Sequence, residues 1–131
     1  MTTVEIIPFD PAQHHHLLPS IVSLHVDAIE QDDVPLRFHA PFTAEKRARM
    51  TAFWEQHARQ VAEGQRITLV ALAGQKVAGV VELALSDTET GAFRAEMEML
   101  IVSPSHRRLG LATRLLREAE RVGAENGRTL L

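Results

Sequence analysis

The chain has 131 residues, with 14 Lys and Arg against 17 Asp and Glu, a formal net charge of -3, and 45% hydrophobic residues. That length fits one domain with one modest core, and the acidic balance gives no bias toward nucleic acid. There is no cysteine, hence no disulfide, thiolate metal site or cysteine nucleophile. With no signal-peptide start and no apolar run near ~18 residues, the expected location is cytoplasmic, with no membrane partner.

In chain order, Val4 to Pro8 reads as a short strand stopped by its proline. Pro11 to Ile29 has helical spacing, and Pro19 inside it predicts a helix start or a kink there. Gln31 to Phe42 is a proline-punctuated loop of functional length. Thr43 is the expected N-cap of a second long helix reaching about Glu63 and closed by Gly64. Ile67 to Ala73 and Val77 to Leu85 then read as two strands of a hairpin joined by Gly74-Gln75-Lys76. A turn at Asp87 to Gly91 leads into a third strand of this group, Ala92 to Val102. Gly110 to Glu125 is an amphipathic helix with Leu111, Leu115, Leu116, Ala119 and Val122 on its apolar side and Gly127 as its stop. Thr129-Leu130-Leu131 begins a further strand.

The segment from Met97 to Glu120 carries the chemistry. An apolar strand runs into a short loop that opens a helix with few side chains at its mouth. A helix N-terminus presents unpaired N–H groups and about half a positive charge, so phosphates bind there when the backbone can be approached. Gly110 and Ala112 allow that approach, and Arg107, Arg108, Arg114 and Arg117 gather in this part of an otherwise acidic chain. Taken singly, Gly110 reads equally as a turn residue and the arginines as a solvated helix face. Their gathering at one helix mouth needs more than that. The Walker lysine with its Ser/Thr and the Gly-x-Gly-x-x-Gly fingerprint are both absent, which excludes the commonest nucleotide loops.

Arg107-Arg108-Leu109-Gly110-Leu111-Ala112 resembles the Arg/Gln-x-x-Gly-x-Gly/Ala signature of the GCN5-related N-acetyltransferase (GNAT) superfamily. The Val-x-Pro spacing before it, Val102 to Pro104, is similar too. The resemblance implies an α/β domain over residues 1–131, with a mixed, mostly antiparallel sheet flanked by helices. It also implies acetyl-CoA as acetyl donor. Loop amides from Arg107 through Leu109, Gly110, Leu111 and Ala112 to Thr113 would cradle the pyrophosphate, and the backbone of Leu100, Ile101 and Val102 would bond the pantetheine arm. The implied reaction is direct attack of a small-molecule amine on the thioester.

Such a reaction needs a group to accept the amine's proton. Arg94-Ala95-Glu96-Met97-Glu98 puts two carboxylates two residues apart in a strand, on one face, with Met97 opposite. Like charges so placed favour a raised pKa in one of them, as a general base requires. The Arg-Ala-Glu start is similar to that of tabtoxin-resistance-type acetyltransferases, in which the glutamate at the position of Glu96 is a proposed base. Glu96 is therefore the first candidate, Glu98 the second and Glu82 the third, against the plain reading of exposed strand carboxylates. His14-His15-His16 lacks the defined surroundings of a metal site, so no metal is expected. His39, with Asp32, Asp33, Arg37 and Phe38 nearby, lies in the loop where members of the family shape the acceptor site.

The sequence departs from the family at its end. It stops at Leu131, where the family's fifth strand should begin, and the fourth helix and last strands are expected to be missing. The chain has no tyrosine to serve as the family's usual acid. Two explanations compete: a shortened form of a longer enzyme, or a homodimer or second chain that completes the sheet. The alternatives to an enzyme are a non-catalytic acyl-CoA-binding or interaction module and an unrelated phosphate-binding regulatory domain.

Overall fold

The computed structural model describes residues 3–86 and 93–130, so the turn expected at Asp87 to Gly91 lies outside the described residues, as does Ala92. Strand β1 is Val4–Pro8, as expected. The helical region after it is broken into helix α1 (Pro11–His14), a 3-10 turn (His15–Leu17) and helix α2 (Leu18–Asp32). Two prolines explain the break. Pro11 opens α1, where Asp10 caps the amide of Ala12. Pro19 falls in the first turn of α2, where its missing N–H costs nothing. Helix α2 runs three residues beyond the expected Ile29 and ends where Asp33 turns left-handed at φ +53°.

Thr43 caps helix α3 (Ala44–Ala62) as the sequence predicts, its hydroxyl accepting from the Lys46 amide at 3.1 Å. Strands β2 (Arg66–Ala73) and β3 (Lys76–Leu85) form the hairpin, closed by Gly74-Gln75, because Ala73 already pairs with Lys76. Gly74 sits at φ +66°, a conformation that glycine adopts without strain. Strand β4 is Arg94–Val102, helix α4 is Leu111–Glu125 and strand β5 is Thr129–Leu130. The sheet order is β1-β2-β3-β4-β5, antiparallel except for the parallel β4–β5 pair.

Alternation along the strands sends two apolar sets to opposite faces. Val70, Val77, Val80, Met99 and Ile101 pack under α2 and α3. Leu69, Ala71, Val81, Leu83 and Ala95 pack under Leu111, Leu115 and Ala119 of α4. The alternation slips once in β4. Glu98 pairs with Glu82 but Ile101 pairs with Val80, so Met99 and Leu100 stand against one β3 residue, and Met99 takes φ +56°. This is a β-bulge, and it keeps Met99 on the α2/α3 side, where strict alternation would have sent it to α4. Gly79 lets α4 lie close to the sheet: a Cβ there would come within 2.9 Å of Leu115 Cδ1 and 3.2 Å of the Ile101 carbonyl. Among the described residues, no helix is long and apolar enough to cross a membrane.

Candidate functional site

Helix α4 opens without a side-chain cap. Its N-cap is Gly110 at φ +72°, and the first helical bond runs from the Arg114 amide to the Gly110 carbonyl at 3.1 Å. The amides of Leu111, Ala112 and Thr113 therefore have no partner within the helix and point out of its end. No heavy atom lies within 4 Å of where a Gly110 Cβ would stand, so glycine is required here by the left-handed turn and not by crowding. Arg108 is also left-handed, at φ +66°, and Leu109 between them is exposed. The loop curls around a cavity of about 340 Å³ whose lining includes Val102, Arg107, Arg108, Ala112 and Thr113. Uncapped amides, nearby guanidiniums and open space suit a dianionic phosphate group.

Strand β4 leads into this mouth. Among the described residues, β5 pairs only with Arg94 and Ala95, so the edge from Glu96 to Val102 has no strand neighbour on that side. An extended ligand can bond to such an edge as a strand would. A second cavity, of about 130 Å³, lies between Leu100–Val102 and the end of α2, and Val102 and Arg107 line both cavities. Arg107 is already engaged. Its Nη1 donates to Asp32 Oδ1 at 2.5 Å and its Nη2 lies 3.4 Å from the Val102 carbonyl. The Arg107 hydrogen bond holds the Asp32 carboxyl below the usual carboxylate range. Arg114 is engaged elsewhere, donating to the Val4 carbonyl at 2.9 Å.

The carboxylates of β4 share the α2/α3 face of the sheet, with Met97 on the α4 side, as the alternation predicts. Their surroundings differ. Glu96 is exposed. Glu98 accepts from Arg66 Nη1 at 2.5 Å and belongs to a larger network. Glu82, fully buried, accepts from His57 Nδ1 at 2.7 Å, from the Thr68 hydroxyl at 2.7 Å and from Arg66 at 3.3 Å. Gln60 of α3 receives the Arg66 Nε–H at 2.8 Å. Three donors satisfy the buried carboxylate, which is the condition for burying one at all.

A second buried histidine fixes the loop after α2. The Trp54 indole N–H donates to His25 Nδ1 at 3.1 Å, so the proton is on Nε2, which donates to the Leu36 carbonyl at 2.7 Å. Burial pushes the His25 pKa down, and the bond to Leu36 opposes that only in part. Two histidines near the N-terminus are bonded separately. His14 Nδ1 accepts from the Asp10 amide at 2.8 Å, and His15 donates to Glu55 at 3.1 Å. Among the described residues, no three His, Cys, Asp or Glu side chains are grouped as a metal ion would need.

The acetyltransferase (GNAT) family model matches residues 26–131, well over half of the chain. The chain belongs to that family. Solved structures share its fold at low identity. A predicted acetyltransferase of Clostridium acetobutylicum, with acetyl-CoA, is 15% identical, with 98% of this chain and 80% of that one aligned at a TM-score of 0.67. The PaiA N-acetyltransferase of Thermoplasma acidophilum, in complex with coenzyme A, is 16% identical over 95% and 74% of the two chains at 0.69. An aminoglycoside acetyltransferase from an uncultured soil metagenomic sample, in complex with sisomicin, is 16% identical over 97% and 74% at 0.67. No curated protein matches this chain in sequence.

Of the residues expected to serve a GNAT site, Val102 and the loop from Arg107 to Thr113 lie together at the mouth of α4, with Leu100 and Ile101 on the adjoining stretch of β4. Glu96 and Glu98 lie farther back along the same strand. Sequence reasoning missed His57 and Arg66 as partners of the carboxylates, and it missed His25. Each had a faint signal: His25 and His57 fall on the buried faces of their helices, and Arg66 opens a strand that is apolar through Ala73 apart from Thr68.

Proposed function

We propose that this GNAT protein transfers the acetyl group of acetyl-CoA to an amine of a small molecule. The observation that carries the reading is the uncapped start of α4, where three free amides and the left-handed Gly110 adjoin the unpartnered edge of β4. In this reading the amides of Leu111 to Thr113, with Arg107 and Arg108, hold the pyrophosphate. The backbone of Leu100 to Val102 holds the pantetheine arm. The amine nitrogen attacks the thioester carbon, a C–N bond forms and the C–S bond breaks. The amine's proton passes to a carboxylate, and the sulfur leaves to be protonated as the thiol.

Glu96 is the first candidate to accept the proton, because it is exposed and can meet both an incoming amine and water. Glu98 is the second, its carboxylate held by Arg66. The acetyl-CoA of one neighbour and the coenzyme A of another support the choice of acetyl-CoA, and the sisomicin complex supports an amine acceptor.

Calorimetric titration with acetyl-CoA tests the reading directly. Micromolar binding that disappears in Gly110→Trp is expected, since an indole at that position would fill the helix mouth. Binding that survives the substitution would place the coenzyme elsewhere. Glu96→Gln should then lower kcat/KM about 100-fold while leaving the affinity for acetyl-CoA unchanged.

A further inference from the structure

Arg107 is the motif residue expected at the pyrophosphate, yet here it bonds Asp32, the last residue of α2. From Asp32 the chain runs through Asp33, Val34 and Pro35 to Leu36, whose carbonyl is held by the buried His25. Residues 33–35 are thus a short span pinned at both ends. Val34 and Pro35 of this span wall the 130 Å³ cavity together with Leu100–Val102. Pockets that take small molecules run to about 300–1,000 Å³, so this cavity is too small for an extended coenzyme arm unless the wall moves.

The two pins are unequal. The Leu36 pin ends on a fully buried imidazole that is itself bonded to Trp54. The Asp32 pin is a surface ion pair, its Arg107 and Asp32 side chains 36% and 41% exposed, and such pairs exchange readily for a better partner. A pyrophosphate is a better partner, because it offers several anionic oxygens to a guanidinium and is held at the same time by the α4 amides.

We propose that Arg107 exchanges Asp32 for the coenzyme pyrophosphate, and that this exchange frees the span 33–35 to open the cavity beside β4. Asp32 is then a positioning residue that keeps the cleft shut in the resting protein and competes with the ligand for one side chain. The proposal rests on the coenzyme reading given above. It also connects the two cavities, since the arginine that lines both is the group that moves.

The test compares the whole chain with Asp32→Asn. A carboxylate at a helix C-terminus is disfavoured by the helix dipole, so its removal leaves α2 intact. The variant should bind acetyl-CoA about two- to fivefold more tightly in calorimetry, the range expected for releasing an exposed ion pair. Its Asp33 and Val34 amides should exchange hydrogen faster than the parent's without any ligand. Inorganic pyrophosphate should produce the same acceleration in the parent but not in Arg107→Ala. A merely structural role for Asp32 would weaken binding, so unchanged or weaker affinity in Asp32→Asn, with the parent binding normally, overturns the exchange alone. A parent chain that fails to bind acetyl-CoA overturns the coenzyme reading and the exchange with it.

Discussion

The two faces of the sheet are built on different principles. The α4 face is closed by Leu, Val and Ala against Leu111, Leu115 and Ala119. The α2/α3 face has an apolar floor as well, but it also holds buried His25, His57, Thr68 and Glu82. Apolar packing tolerates repacking as long as volume is conserved. A hydrogen-bonded interior does not, because each group removed strands its partners. The first face can drift in sequence and keep its function of supporting the helix mouth, whereas the second specifies its residues one by one.

The contrast can be broken most sharply at Glu82. Replacing it with Leu leaves Arg66, His57 and Thr68 facing a hydrocarbon, and the expected cost is about 3–5 kcal/mol in denaturant unfolding. His25→Phe comes next. It fills the same space but orphans the Trp54 indole and the Leu36 carbonyl, for about 2–4 kcal/mol.

That variant should also change the pH dependence. The His25 pKa is lowered on folding, so the unfolded chain binds the proton more tightly and stability falls as pH drops below the ordinary histidine value of about 6.5. The parent should lose stability on acidification through that range, and His25→Phe should lose less. Urea midpoints at a series of pH values would settle it, and parallel curves would contradict the assignment.

On the α4 face, Gly79→Ala is expected to cost about 1–3 kcal/mol, since its Cβ meets the Ile101 carbonyl, which cannot move far, as well as Leu115. Leu83→Met on that face should cost least, under about 1.5 kcal/mol. A Leu83→Met cost matching that of Glu82→Leu would erase the distinction between the faces.

Much of this was legible in the sequence because it depends on local rules. Pro8, Thr43, Gly64, Gly74 and Gly127 punctuate the elements where their backbone chemistry requires, and the Arg107 to Ala112 motif marks the helix mouth. What escaped depends on long-range pairing. Glu82 meets Thr68 across the hairpin, but it meets His57 only after α3 has folded onto that hairpin, and neither strand nor helix periodicity encodes the second meeting. Asp32 and Arg107 are 75 positions apart and come together only once α2 lies beside the β4–α4 loop. The division of the Pro11 to Ile29 region into α1, a 3-10 turn and α2 was half visible, through Pro19, but the three histidines between gave no boundary.

The extra residue at Met99 acts as a phase shift. Substitutions along β4 leave the count alone, and a deletion of either Met99 or Leu100 would only remove the bulge, leaving Glu98 and Ile101 two positions apart as their partners Glu82 and Val80 are. Ile101 would keep its place on the α2/α3 face, and the one residue left between would stand opposite Val81 on the α4 side. A deletion between Ala95 and Glu98, by contrast, would turn every residue on one side of the cut to the other face. The edge of β4 and the helix mouth are therefore held in register by chain length as much as by side-chain identity, and a single-residue deletion in β4 outside the bulge should be far less tolerated than one within it.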